Sequence, residues 1–162
     1  MMDSTGRSHS TETRTAVFDT NVWLDQLVFE DARVAPLFGA VAAGTLQPVH
    51  SRAMRDELAD VLGRPALQQH ALRVQRRAGR TQAGFDAGAC LARFDALSAE
   101  RPDAADCGLG CRDPDDQKFL DLAVAQHCAW LISKDRALLD LARPARRRFA
   151  LTIAPPGSFA TA

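Results

Sequence analysis

The chain has 162 residues, 46% of them hydrophobic and 25% charged, a balance that suits one packed domain and excludes an intrinsically disordered chain. Its 20 basic and 20 acidic side chains cancel, so no global field draws it onto nucleic acid or an anionic membrane, and any polyanion site must be local. No apolar stretch approaches the ~18 residues that span a bilayer, and four cysteines in a chain too large to depend on disulfides are expected as reduced thiols in a cytoplasm.

Residues 1–13, MMDSTGRSHSTET, are polar and lack the apolar segment of a secretory signal, which predicts a disordered tail before a folded domain over 14–162. Thr15 to Phe18 is a short β-prone run, and Ala32 to Ala43 has the composition of a helix ending at Gly44. Leu46 to His50 reads as a second strand, and Ser51 is placed to cap a helix that stops at Gly63 and Pro65. Residues 66–100 suggest one or two helices, interrupted near Gly79 or Gly84, with a loop from Arg101 to Arg112. Asp113 to His127 reads as a capped helix with Pro114 in its first turn, where a missing N–H costs nothing. Trp130 to Ser133 is a buried strand, DRALLDLA a short helix, and Arg148 to Ile153 a last strand before the Pro155-Pro156-Gly157 breaker. Strands alternating with helices predict an α/β fold, with a parallel sheet covered by helices on both faces.

Acidic residues then stand out by position. Ligands of open α/β sheets bind outside the carboxyl ends of the strands. Asp19 follows one strand end, and Asp135 lies two residues past Ser133 at another. In the helix from Ser51, Met54, Leu58, Val61 and Leu62 share a face at 100° per residue. Glu57 falls at the edge of that face, while Asp56 and Asp60 point away. In the helix from Asp113, Phe119, Leu120, Leu122 and Ala123 mark the inward face, with Asp115 and Asp116 on it and Asp121 pointing away. Capping and helix-dipole complementation explain acids in first turns, at ~0.3–1 kcal/mol each, but not their placement on the buried side. Four carboxylates converging on one crevice would repel at ~3 kcal/mol per pair 5 Å apart with an effective dielectric of about 20. Protons or a divalent cation must compensate, and hard oxygen ligands suit Mg²⁺ or Mn²⁺.

Three stretches in register, VFDTNVW, SRAMRDELADVL and CRDPDDQKFLDLAVAQHCAWLISKD, resemble the PIN-domain family, and within it the bacterial VapC-like toxin components of toxin–antitoxin systems. The likeness covers residues 14 to 159. It implies a three-layer α/β/α sandwich around a central parallel sheet of about four to five strands. It also implies a Mg²⁺- or Mn²⁺-dependent ribonuclease and a partner antitoxin protein, and homodimers are common in the family. Asp19, Glu57, Asp116 and Asp135 resemble the family's four catalytic, metal-holding acids, with Asp115 and Asp113 as alternates for the third. Asn21 matches a residue that supports the first acid by hydrogen bonding, and Ser133 stands where many members have a threonine.

Other signals are weaker. Arg73, Arg76, Arg77 and Arg80, and the cluster Arg146 to Arg148, could track an RNA backbone or form an ordinary solvated face. Cys107 and Cys111 lack the second pair of a zinc site and read as loop thiols. His50 and His70 have no sequence partner for acid–base work. Two rivals to the ribonuclease remain: an RNA- or antitoxin-binding module with a weak or silent site, and an aspartate-nucleophile phosphatase. The phosphatase reading is opposed by Asn21, where such enzymes carry a second aspartate.

Overall fold

The computed structural model describes residues 12–79 and 84–159. Five strands, β1 (Arg14–Phe18), β2 (Leu46–His50), β3 (Ala99–Glu100), β4 (Trp130–Ile132) and β5 (Thr152–Ala154), form one sheet in the order β3-β2-β1-β4-β5. Every pairing is parallel. Eight α-helices are described: α1 (Thr20–Leu24), α2 (Ala35–Ala42), α3 (Arg52–Gly63), α4 (Pro65–Arg77), α5 (Ala87–Leu97), α6 (Gln117–Ala125), α7 (Arg136–Leu139) and α8 (Ala142–Phe149).

Side chains of a strand alternate between faces, and β1 divides the core accordingly. Ala16 and Phe18 join Trp23, Phe38, Leu58, Leu62, Ala71 and Phe94 from α1 to α5. Val17 joins Phe119, Leu120, Leu138 and Ala145 from α6, α7 and α8. The expected three-layer sandwich is therefore present, with five strands. Met54 departs from the rest of α3 by packing into the second cluster, so the first turns of α3 reach over the carboxyl edge of the sheet toward α6.

Most elements fall where the sequence places them, and Gly44 takes the left-handed φ of 73° that stops the chain after α2. Three differences have local causes. The last strand is Thr152–Ala154, not Arg148 to Ile153, because Arg146, Arg147 and Arg148 are in α8. Pro144 occupies the first turn of that helix, where it breaks no hydrogen bond. Second, Ala99–Glu100 is a strand inside a stretch read as helical; two residues carry no periodicity to detect. Third, the segment after β1 is itself helical: α1 continues as a π-helical turn over Asp25–Phe29. Arg80 and the tail up to residue 11 lie outside the described residues.

Leu131 is fully buried at the centre of β4, which pairs with β1 on one side and β5 on the other. Leu131→Ala is expected to cost about 2–5 kcal/mol through lost burial and a residual cavity, read as a lower urea midpoint with an unchanged m-value.

Candidate active site at the strand switch point

Strand order reverses at β1, whose neighbours β2 and β4 are reached by connections in opposite directions, and a crevice opens at their carboxyl ends. The backbone ladder runs one residue past β1, with Asp19 N–H donating to Ile132 O at 3.0 Å. That bond sets Asp19 beside Ser133. The Asp19 side chain is 3% exposed. Its Oδ1 accepts from Val22 N–H at 2.8 Å, which caps α1. Its Oδ2 accepts from the Ser133 hydroxyl and from Lys134 N–H at 3.2 Å. Burial raises the Asp19 pKa, while the Ser133, Val22 and Lys134 contacts pull it down.

Ser133 links two acids. Its hydroxyl donates to Asp19, and its oxygen accepts from Asp135 N–H at 2.9 Å. Asp135 caps α7 through Ala137 N–H at 2.7 Å. Glu57 arrives from α3, half-buried, accepting from the Thr20 hydroxyl at 2.5 Å and paired with Lys118 of α6. Asp56 and Asp60 are exposed on the other side of the helix and pair with Arg52 and Arg64. The periodicity argument for Glu57 thus describes its real surroundings.

Of the three clustered aspartates, Asp113 and Asp115 are exposed and Asp116 is half-buried. Asp113 caps the turn through Asp115 N–H at 3.0 Å. Asp116 Oδ2 is buried with no hydrogen-bond partner. Burial, then the charges of Asp135, Asp113 and Asp19, push its pKa up to about 6. Asp116 therefore feels two other acids of the crevice directly, and an inward carboxylate oxygen without a donor is a vacant ligand for a hard cation. The donor set suits the Mg²⁺ or Mn²⁺ expected from the sequence.

Two expectations are corrected. Asn21 is exposed, and the hydrogen bonds to Asp19 come from Val22, Ser133 and Lys134; the second residue of α1 points away from its own cap. Asp121 does not point away. It is 8% exposed and accepts from Cys107 N–H at 3.0 Å and Gln117 Nε2 at 2.8 Å, pinning the 107–111 loop to α6. Asp106, Cys107 and Asp121 are the one trio among the described residues whose potential ligand atoms lie within 4.8 Å of one another. Hydrogen bonds account for it, since Asp106 accepts from Gly108 N–H at 2.7 Å. The crevice acids are not drawn together that closely. All four cysteines are free thiols.

Sequence reasoning missed the cations. The chain has only two lysines among its 20 basic residues, and both end at this crevice. Lys118 pairs with Glu57, and Lys134 donates Nζ to the buried Asp25 at 2.5 Å. Their rarity was a readable signal, as was Asp25 inside the apolar run VWLDQLVF. Arg73 is exposed and donates to Gln69 O within α4, and Arg76 and Arg77 are exposed beside it.

A raised folded-state pKa stabilises below the unfolded value and is lost as pH rises through the folded one. For Asp116 that window runs from 3.8 to about 6. Metal-free Asp116→Asn is expected to melt above the wild type at pH 7, the gap closing below about pH 4. A scan of melting temperature against pH in EDTA measures it.

The model of the family described as PIN domain matches residues 15–137. Among solved structures, the chain is similar to the PIN domain endonuclease Utp24, at 15% identity and a TM-score of 0.44, over 91% of this chain and 86% of that one. No curated protein matches. No described helix is long and apolar enough to cross a membrane. With the family model covering both the switch point and its acids, the chain belongs to the PIN domain family, a nuclease fold whose members hydrolyse nucleic acids.

Proposed function

We propose that the protein is a Mg²⁺- or Mn²⁺-dependent endoribonuclease, the toxin of a toxin–antitoxin pair acting in the cytoplasm. The observation that carries the nuclease reading is the buried, unpartnered Oδ2 of Asp116 beside Asp19 and Asp135. An aspartate-nucleophile phosphatase fits less well, because Asp19 is bound on both oxygens and Asn21 stands in place of its second acid. The toxin role, the partner antitoxin and a homodimer rest on the resemblance of the three sequence stretches.

In this reading Asp19, Asp116 and Asp135, with Glu57, hold the metal. An ion bound there would supply an activated water and neutralise charge on the phosphodiester. The residues of the chain do the rest. Ser133 holds the Asp19 carboxylate and the Asp135 backbone in fixed relation, and Ala137 N–H holds the Asp135 carboxylate, so neither acid has to be ordered when RNA binds. Thr20 keeps Glu57 turned toward the crevice. Lys118 is a flexible point charge; released from Glu57, it can meet a phosphate oxygen of the substrate. Asp116 must lose its proton to act as a ligand, so metal affinity rises with pH.

The test is cleavage of single-stranded RNA with Mg²⁺ or Mn²⁺, with and without EDTA. Asp19→Asn and Asp116→Asn are expected to remove cleavage while the proteins stay folded by circular dichroism. Ser133→Ala is expected to lose about 10- to 100-fold, as substitutions behind metal ligands do, and Ser133→Thr to retain most activity. Cation-independent turnover, or an Asp116→Asn protein as active as the wild type, rules out the metal-dependent nuclease built on these acids. Wild-type binding of RNA without turnover would leave a binding module.

A further inference from the structure

We infer that the groove between α8 and the edge strand β5 binds an acidic, extended segment of a partner protein. The groove encloses about 460 Å³ and is lined by Ala142, Arg143, Arg146, Arg147, Thr152 and Ile153. Neither element carries any of the crevice acids, so the inference stands whether or not the chain cleaves RNA.

The shape of the groove follows from the two elements that form it. β5 ends the sheet on this side, with β4 as its one strand neighbour among the described residues. Thr152 N–H donates to Ala129 O at 3.1 Å, and Ala154 O accepts from Ser133 N–H at 3.1 Å. Bonding groups of successive strand residues alternate in direction, so the N–H and C=O of Ile153, between those two, are directed away from β4. On α8, Ala142, Arg143, Arg146 and Arg147 return to one side of the helix at 100° per residue. Ala145 turns inward and is fully buried. Ala142 and Ile153 give the groove an apolar floor, and the arginines stand over it.

Charge selects the occupant. α8 carries Arg143, Arg146, Arg147 and Arg148 and no acid. All four are exposed, and none makes an ion pair among the described residues. Arg146 donates Nη1 to the Thr152 hydroxyl at 2.6 Å, a neutral partner that leaves its charge unmatched and fixes it across the groove. Arg148 turns to Gly108 O at 3.0 Å, outside the groove. Arg143 and Arg147 have no hydrogen-bond partner among the described residues. Three guanidinium groups therefore line one groove that contains no carboxylate, although the chain as a whole is neutral. Carboxylates are the complement, since each can take a guanidinium through two parallel hydrogen bonds.

A protein segment fits this set better than RNA does. The apolar floor offers nothing to a phosphodiester backbone but takes up an aliphatic side chain. The strand edge presents a donor and an acceptor together at Ile153, which another peptide chain matches and a row of phosphates, all acceptors, does not. A second copy of this chain is disfavoured by the same arginines. Pairing two β5 edges would bring like charges together, and charge on an edge is how sheets avoid such self-association. An acidic segment turns that repulsion into attraction. Its backbone pairs with Ile153, an aliphatic side chain fills the floor, and its carboxylates meet Arg143 and Arg147 at the rim.

The test selects binders of the full chain from a displayed library of random short peptides and measures the selected peptides by fluorescence anisotropy. Peptides rich in Asp and Glu with interspersed aliphatic residues are expected. Their Kd is expected to rise about five- to tenfold for the double variant Arg143→Gln with Arg147→Gln, and to rise with salt. Arg73→Gln, on α4, should change nothing. Hydrogen exchange followed by NMR should show the Ile153 amide protected when peptide binds. No selected binder, binders without acids, or acidic binders that the double variant leaves at full affinity overturn the site. An Ile153 amide that stays unprotected overturns the strand pairing. A single-stranded oligoribonucleotide, in EDTA, that loses affinity in the double variant where the peptides do not assigns these arginines to RNA instead. A dimer in sedimentation that the double variant dissolves assigns them to a second copy. RNA cleavage by the double variant is expected to equal that of the wild type, so failure of the ribonuclease reading shows separately, as absent cleavage by the wild type with metal.

Discussion

The buried carboxylate of Asp19 is the contact on which the rest of the site depends. It closes the first strand, caps the first helix through Val22, and accepts from Ser133 and Lys134 beyond the fourth strand. A charge so enclosed is costly unless it is hydrogen-bonded on every side. Meeting that requirement makes the two strands meet in one register at their carboxyl ends. The same bonds that lower the cost of burial orient the group for ligation, so structural and chemical roles coincide in one side chain.

From that anchor the site is a problem in like charges. Asp116 and Asp135 share the crevice with Asp19, and Asp116 responds by holding its proton up to about pH 6. Glu57 and Asp25 are each met by a lysine. Lysine is suited to this, because a single mobile ammonium can leave one carboxylate for another anion, which a bidentate arginine does less readily. Elsewhere the protein uses arginine, as in the paired Arg55 and Asp95. The choice of cation therefore separates contacts that hold the fold from contacts that can be exchanged.

Helix α3 delivers an acid from the first layer to this edge of the sheet. Its first turns lean over the strand ends because Met54 packs with α6 while Leu58 and Leu62 stay with the opposite layer. That placement brings Glu57 to the acids.

Much of this was legible in the sequence. Alternating strands and helices imply the parallel sheet, and the parallel sheet implies a crevice at its carboxyl ends, which singles out Asp19 and Asp135. Helical periodicity separates Glu57 from Asp56 and Asp60, since 100° per residue acts over a few positions and needs no partner. What sequence could not decide was pairing between distant segments. Asp19 and Ser133 are 114 positions apart, and their bond, rather than one from neighbouring Asn21, holds the first acid. Asp121 lies on the polar side of its helix by local count, and only the loop folding over it makes it buried. The three aspartates at 113, 115 and 116 differ because a turn of 3₁₀ helix precedes α6 and rotates one of them inward. By itself the sequence determined the layers, the edge where chemistry occurs and the acids present, because propensity and periodicity are local. Only the tertiary structure decided which acid is bonded, which is bare and which is matched by a lysine, because those depend on groups that meet through the sheet.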